Sequence, residues 1–385
     1  MNLRQKLRGI KLIRSFASIK LTVCCLLLLF ILTIWGTVAQ VHSGLYLAQQ
    51  RYFQSFLFLA LGFIPFPGGQ SVMWLLFVNL ISVALIRLVY KWRHAGIIII
   101  HLGLLLFLFS GYITLRWSKE SFISLYNGQS TNVSTAYHDW EISVWEKNAD
   151  GDPLKITREV TAMDAEGLHP GQGLGFDGSG FRLTVEEFYK NCDAYMGEGN
   201  QGDVLNAHGI GKLTPLALDR EPEKNIPGGI FHIQTKKGDK ILLYGGESKP
   251  TAFKAGGGEH EIMLRLKRYP LPITLKLVEF MREYHPGTDT ARSFKSRVSV
   301  EVKEATREKL ISMNNPLRYK DYTFYQASFS VDNSGRESST IAVVKNAGRF
   351  LPYVSTFVTF SGLLINFMIA LNSRKGYEPP FVENV

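Results

Sequence analysis

The sequence predicts a membrane protein of the α+β class, with four transmembrane helices and a large β-rich extracytoplasmic domain between the third and the fourth. Three observations predict it. Four apolar runs, 21–38, 72–89, 95–115 and 353–371, approach the roughly 20 residues that a helix needs to cross a hydrocarbon core of about 30 Å. No Asp or Glu precedes Glu120, so the chain up to Lys119 carries only positive charge. Residues 116–350 break into short alternating runs bounded by Gly, Pro and Asn, the pattern of half-buried strands.

Charge orients the spans. Arg4, Lys6, Arg8, Lys11, Arg14 and Lys20 precede the first run, and Arg87, Lys91 and Arg93 separate the second from the third. The positive-inside rule then places 1–20 as a cytoplasmic basic N-terminus and 373–385 as a cytoplasmic tail. The domain 116–350 falls on the opposite side, which is the periplasmic side of the inner membrane in a bacterium with an outer membrane. The first run is too long for the core of a cleaved signal peptide, and three more spans follow it. Arg87 lies near a span end, where a long side chain can snorkel. Within 21–115, the apolar segment 53–66 is too short to span. Pro65 and Pro67 end it, and it reads as an interfacial or re-entrant helix. The net charge of +10 is therefore a topology signal. The outer domain balances its acids and bases, which excludes a nucleic-acid partner.

The third span has two faces. Gly96, Gly103 and Ser110 recur every seven residues and share one side, suited to close packing against a neighbouring helix. His94 and His101 also differ by seven, and His101 points about 160° away from Gly103. In the fourth span, Ser355, Thr359, Gly362 and Asn366 form a second small, polar stripe, which needs a helix partner inside the chain or in another subunit. His101 is the most informative of the nine histidines. An ionisable group inside an apolar span is costly and reads as functional. A neutral imidazole there suits an axial position on haem iron, with a second ligand from elsewhere. The plainer alternative is an imidazole bonded to a helix carbonyl. His42, just outside the first span, and His285 read as surface or hydrogen-bonded histidines with a ligand role as the lesser alternative, and His138, His169, His208, His232 and His260 show no metal-like spacing.

Cys24 and Cys25 lie in the first span and Cys192 stands alone in the outer domain. With neither CxxC nor CxxCH present, the chain carries no thioredoxin-type dithiol and no c-type haem of its own. The strands expected outside are 138–146, 181–188, 230–235, 240–244, 261–266, 273–280, 297–303, 322–329 and 339–344, forming sandwich-like or barrel-like sheets. Glycine-rich 167–180, 197–215 and 256–258 read as loops. Gly171, Gly173 and Gly175 lack the strand-turn-helix setting of a nucleotide fingerprint, and 150–152 lacks the rest of a calcium loop. Nothing in the chain has the pattern of a self-contained hydrolytic site.

Several segments resemble the ResB (CcsB) family of cytochrome c biogenesis components. They are Gly36-Thr37-Val38-Ala39-Gln40 leaving the first span and Ile100-His101-Leu102-Gly103 in the third. Tyr284-His285-Pro286-Gly287-Thr288 with Arg292-Ser293-Phe294-Lys295-Ser296 follows, a His standing between Tyr and Pro. Met313-Asn314-Asn315-Pro316-Leu317-Arg318-Tyr319 and Tyr325-Gln326-Ala327-Ser328-Phe329 precede the last span. Physically, Pro286-Gly287 suits a type II turn, Asn315-Pro316 a chain reversal and 322–329 a buried strand. The resemblance implies an unfused subunit, non-catalytic or co-catalytic, of a cytochrome c synthase. It implies a polytopic CcsA/ResC-type partner, apocytochrome c as client, a thiol-reducing thioredoxin-like protein, and haem b as the cargo. Its third-span histidine, thought to ligate that haem opposite a partner histidine, corresponds to His101. The competing expectation is a membrane-anchored scaffold whose outer domain docks a partner and whose His101 only packs.

Overall fold

The computed structural model describes residues 7, 9–146, 161–176, 181–197, 204–233, 239–288, 291–303 and 305–372. The chain divides into two compact units, Met1–Ser118 with Asn346–Val385, and Lys119–Lys345. The candidate calcium segment 150–152 and the tail 373–385 lie outside the described residues.

The first unit contains four helices long and apolar enough to cross a membrane: α1 (Ile19–Ser43), α2 (Gly69–Ile86), α3 (Ala95–Trp117) and α4 (Leu351–Asn372). Ser18 caps α1 by accepting from the Lys20 amide, and Gly44, at φ +76°, ends it. The buried Asn79 of α2 ties the start of α1 in place. Its amide donates to the carbonyls of Phe16 (2.6 Å) and Ser18 (3.1 Å), and its oxygen accepts from Thr22 Oγ1 (2.8 Å). These bonds fasten the segment leading into α1 to α2. Arg87, expected to snorkel, donates to the Ala17 carbonyl at 3.0 Å.

The segment 53–66 is not a helix. A helical turn, Leu45–Ala48, and a π turn, Gln49–Phe53, lead into a two-stranded hairpin of β1 (Leu57–Ala60) and β2 (Ile64–Pro67). Phe58 and Ala60 alternate inward and pack with Trp35 and Tyr52, while Leu61 and Gly62 turn the chain at positive φ. An apolar alternation of period two decides the strand where length alone suggested an interfacial helix. Pro65 and Pro67 fit because each end of this small sheet is an edge.

Among its described residues the second unit is built of β-strands, with one short 3-10 turn at Pro222–Lys224. Two long strands, β4 (Ser130–Glu146) and β14 (Gly258–Tyr284), pair antiparallel, and β14 contributes to both of the main cores. At one end Ile142, Val144, Ile262 and Leu264 face a five-stranded sheet. Its members are β6 (Gly173–Gly175), β7 (Arg182–Tyr189), β9 (Val204–Leu205), β11 (Gly228–Ile233) and β12 (Lys240–Tyr244), which contribute Leu183, Phe231, Ile241 and Leu243. At the other end a ten-stranded sheet curls around a second core. There Leu275 and Leu277 of β14 meet Val298 of β15 (Ala291–Val302), Ile311 of β16 (Ala305–Ser312), Phe324 of β18 (Tyr322–Val331) and Ile341 of β19 (Glu337–Lys345). Register shifts between Leu266 and Arg268 and between Pro270 and Leu275 bend β14 where it passes from one core to the other. The expected strands 261–266 and 273–280 are thus one bent strand. The expected loop 197–215 contains β9 and also β10 (Ile210–Pro215), which pairs with β8 (Cys192–Met196).

Two turns match their chemistry. Gly287 sits at φ +74° and the Thr288 amide donates to His285 O at 3.1 Å, closing the Pro286-Gly287 turn. Around Asn315-Pro316, reciprocal bonds between Ser312 and Asn315 (3.1 and 3.2 Å) reverse the chain. In β18 one face is buried, with Phe324 and Gln326 inward and Tyr325 outward.

Candidate functional site

The two small stripes find each other. Gly96, Gly103 and Ser110 are the buried residues of α3, and Ser355 and Gly362 those of α4. The helices run antiparallel, with Gly96 against Asn366, Gly362 against Ile100 and Gly103 against Thr359. A methyl group built on Gly362 would lie 2.7 Å from the Ile100 amide nitrogen, closer than any real side chain sits. Ser355 Oγ and Thr359 Oγ1 donate to carbonyls of their own helix, Pro352 O (2.9 Å) and Ser355 O (2.8 Å). The seam is therefore close backbone packing rather than a ladder of hydrogen bonds between helices.

This seam fixes where His101 points. Lying about 160° from Gly103 around α3, His101 faces away from α4. The side chain is half-buried, and Nδ1 lies 2.9 Å from the Ile97 carbonyl one turn back. A carbonyl oxygen only accepts, so Nδ1 carries the proton and Nε2 is the basic nitrogen of the ring. A ring N–H held by a carbonyl is also the arrangement that orients metal-ligating histidines. An imidazole held in this way is a residue type that could hold a haem iron. Among the described residues no three His, Cys, Asp or Glu side chains cluster as a metal site.

The same face of α3 continues past His101 to Leu108, Tyr112 and Leu115. Leu108 is seven residues on, about 10 Å along the axis at the usual rise of about 1.5 Å per residue. These residues wall a cavity of about 470 Å³ between α1, α2 and the C-terminal half of α3. Trp74 of α2 packs edge-on to Tyr112, ring centroids 5.0 Å apart. Sequence reasoning missed this cavity. Its signal was the i, i+3, i+4, i+7 series Leu108, Gly111, Tyr112, Leu115, which needs a known partner helix to be read as a wall rather than a lipid face.

Apart from His94, whose buried Nε2 has no hydrogen-bond partner among the described residues, the other histidines are engaged in structure or lie on the surface. His94 is buried at the start of α3, and His42 is exposed at the end of α1. His285 is exposed in its turn. His138 approaches Glu223 (3.9 Å), His208 bonds Glu247 (3.1 Å) and His232 pairs with Glu186 (3.0 Å). His260 packs at a tilt against Phe181 and Phe253 while its Nε2 meets Ala255 O at 3.1 Å, and His169 Nδ1 lies 3.3 Å from Pro170 O. Cys192 is buried beside Leu213 and Leu242. Burial, helped by the neighbouring Asp193, pushes its thiol up to about 11, so it is mostly protonated at neutral pH and a poor nucleophile.

Comparison with known proteins places the match mainly in the second unit. Residues 210–379 match the model of the ResB-like family, a stretch from β10 through α4 that does not include His101. A stretch of 101 residues is 30% identical to Protein NrfI of Wolinella succinogenes, covering 26% of this chain and 11% of that protein.

Proposed function

We propose, from the premise that residues 210–379 of this chain are ResB-like, that it serves in cytochrome c biogenesis as the haem-handling subunit of a cytochrome c synthase. In this reading α1–α4 cross the bacterial inner membrane and the β unit faces the periplasm. The observation that carries the haem role is the His101 imidazole. It is held on an apolar helix by its Nδ1–H···O=C bond to Ile97, with the small face of α3 turned away to α4. Bound haem supplies the vinyl groups to which apocytochrome CxxCH thiols add.

The tasks of this chain's own residues are positional. His101 would hold the haem iron through its imidazole, and the α3–α4 seam sets the side of α3 on which it does so. The β unit offers surface for the client, and aligning thiols with vinyls contributes most of the rate in such an addition. Cys192, buried and protonated, has no part in thiol chemistry, so the client cysteines are kept reduced by another protein. The partner in this reading is a polytopic CcsA/ResC-type subunit, whose own residues would share in holding the haem.

The test is purification of the full chain with that partner and a visible absorption spectrum. The expected result is b-type haem in the wild type, its loss in His101→Ala, and partial return with added imidazole. Unchanged haem content and cytochrome maturation in His101→Ala, with His101→Gln equally active, would favour a scaffold that binds no haem.

A further inference from the structure

Two buried nitrogens flank the link between α2 and α3, and neither has a hydrogen-bond partner among the described residues. They are Nε of Arg87, which directly follows α2, and Nε2 of His94, which directly precedes α3. A buried polar group left without a partner is costly, and a bound ion is one physical reason for it to persist.

The Arg87 guanidinium is already oriented. Its Nη1 donates to the Ala17 carbonyl at 3.0 Å, which leaves the Nε–Nη2 edge open. That edge is the planar fork that meets two oxygens of one anionic group. His94 is 6% exposed, and as the residue before Ala95 it sets its ring at the first turn of α3. No side chain caps that turn, and the first amides of a 23-residue helix attract an anion.

The surroundings hold positive charge and no acid. Lys91 and Arg93 lie on the same link, and no Asp or Glu precedes Glu120 in the chain. The tail after Asn372 sets its two acids, Glu378 and Glu383, against Arg374 and Lys375. An anionic acceptor for Arg87 and His94 therefore has to come from outside the described residues. Tyr90 and Trp92, 55% and 90% exposed, are the aromatics that collect at headgroup depth at the end of a span. The anion abundant at that depth is phosphate, and basic pockets between spans recognise it.

We propose that the α2–α3 link binds a phosphate group, held by the Arg87 fork, the His94 imidazole and the first amides of α3. Its source is a phospholipid headgroup or inorganic phosphate, which offer the same oxygens. The proposal goes beyond the haem reading and does not depend on His101 binding iron.

The full chain is purified in an uncharged detergent and depleted of lipid. Inorganic phosphate and, separately, phosphatidylglycerol micelles are then titrated in. Binding is read from the thermal midpoint and from the nitrogen NMR signal of the His94 ring, assigned by its loss in His94→Gln. The wild type should bind, with the His94 signal moving as the midpoint rises. A response to phosphatidylglycerol alone assigns the headgroup, and a response to inorganic phosphate as well assigns the phosphate group by itself. Arg87→Lys keeps the charge but loses the fork. It and His94→Gln should each weaken binding about tenfold or more, the effect of one hydrogen bond to a charged group. Lys91→Gln, at an exposed cation of the same link, should weaken it far less. Equal weakening by Lys91→Gln would assign the attraction to diffuse surface charge and overturn the proposal. So would a wild type that binds neither probe, or a folded Arg87→Lys or His94→Gln chain that binds as tightly as the wild type. If Arg87→Lys does not fold, His94→Gln and the wild-type His94 signal decide.

Discussion

Gly103 of α3 and Thr359 of α4 touch backbone to backbone, a methyl group on Gly103 coming within 2.8 Å of the Thr359 amide nitrogen. Backbone cannot yield as a flexible side-chain end can. Gly103→Leu is therefore expected to separate α3 from α4 and destabilise the helical unit by about 1–3 kcal/mol, the usual cost of overpacking. Gly111→Leu, on the open side of the same helix, should cost far less. Thermal unfolding of the two variants in detergent checks the contrast. Equal midpoints would contradict the seam.

That contact also shows what was legible in the sequence. The seven-residue recurrence of Gly96, Gly103 and Ser110 and the stripe Ser355, Thr359, Gly362, Asn366 were both visible, because small residues at helical spacing carry their own meaning. That each is the other's partner was not, since no local rule pairs two stripes more than 230 residues apart. The same limit governs the β unit. Strands 240–244 and 339–344 stood out by alternation, with β19 slightly longer in the structure. The continuity of β14 through Pro270 did not, because proline normally argues against a strand interior and only a register shift admits it. The hairpin at 57–67 was missed because four-residue strands hide in a generally apolar segment. His101 was legible as an anomaly of polarity. Its tautomer, set by Ile97 O, needed the backbone.

Cys192 should be inert in the folded protein. Its thiol sits near 1% exposure, and burial raises its pKa to about 11. A maleimide or iodoacetamide probe at pH 8 should leave Cys192 unmodified in the native full chain and react with it after denaturation, as read by peptide mass spectrometry. Since the raised folded pKa favours the protonated thiol, its stabilising contribution is complete below the ordinary thiol pKa. It fades as pH rises towards 11. Cys192→Ala should remove that alkaline component.

The pair Arg265–Glu141 joins β14 to β4 with Nε to Oε1 at 3.0 Å, side-chain exposures being 13% and 6%. Ser143 Oγ also donates to the same carboxylate oxygen at 3.0 Å. Beside it Arg268 is lowered to about 10, chiefly by burial and secondly by Arg265. Glu141→Ala would leave two arginines facing one another with their shared acid gone. Breaking one side of a buried pair costs about 3–5 kcal/mol, whereas replacing both partners with apolar residues is often close to neutral. The double variant Glu141→Leu, Arg265→Met is accordingly expected to be more stable than Glu141→Ala. Guanidinium unfolding followed by tryptophan fluorescence reports the difference, with Trp140 and Trp145 both on β4.

The β18–β19 turn should show an acid-sensitive step of its own. Asp332 accepts from the Ser334 hydroxyl (2.7 Å), the Ser334 amide (2.9 Å) and the Arg336 amide and Nε (2.9 Å each). Gly335 completes the turn at φ +78°. These donors, the Ser334 hydroxyl first, hold the carboxyl down to about 2 from an ordinary value of 3.8. A depressed folded pKa means that the stabilisation is present above the ordinary value and is lost as pH falls from about 4 towards 2. Amide exchange in 331–337 should therefore quicken across that window in the wild type. In Asp332→Asn, which keeps one acceptor oxygen but no titrating charge, the same amides should exchange faster at neutral pH and show no such step. A step of equal size in the variant would assign the acid sensitivity to another carboxylate.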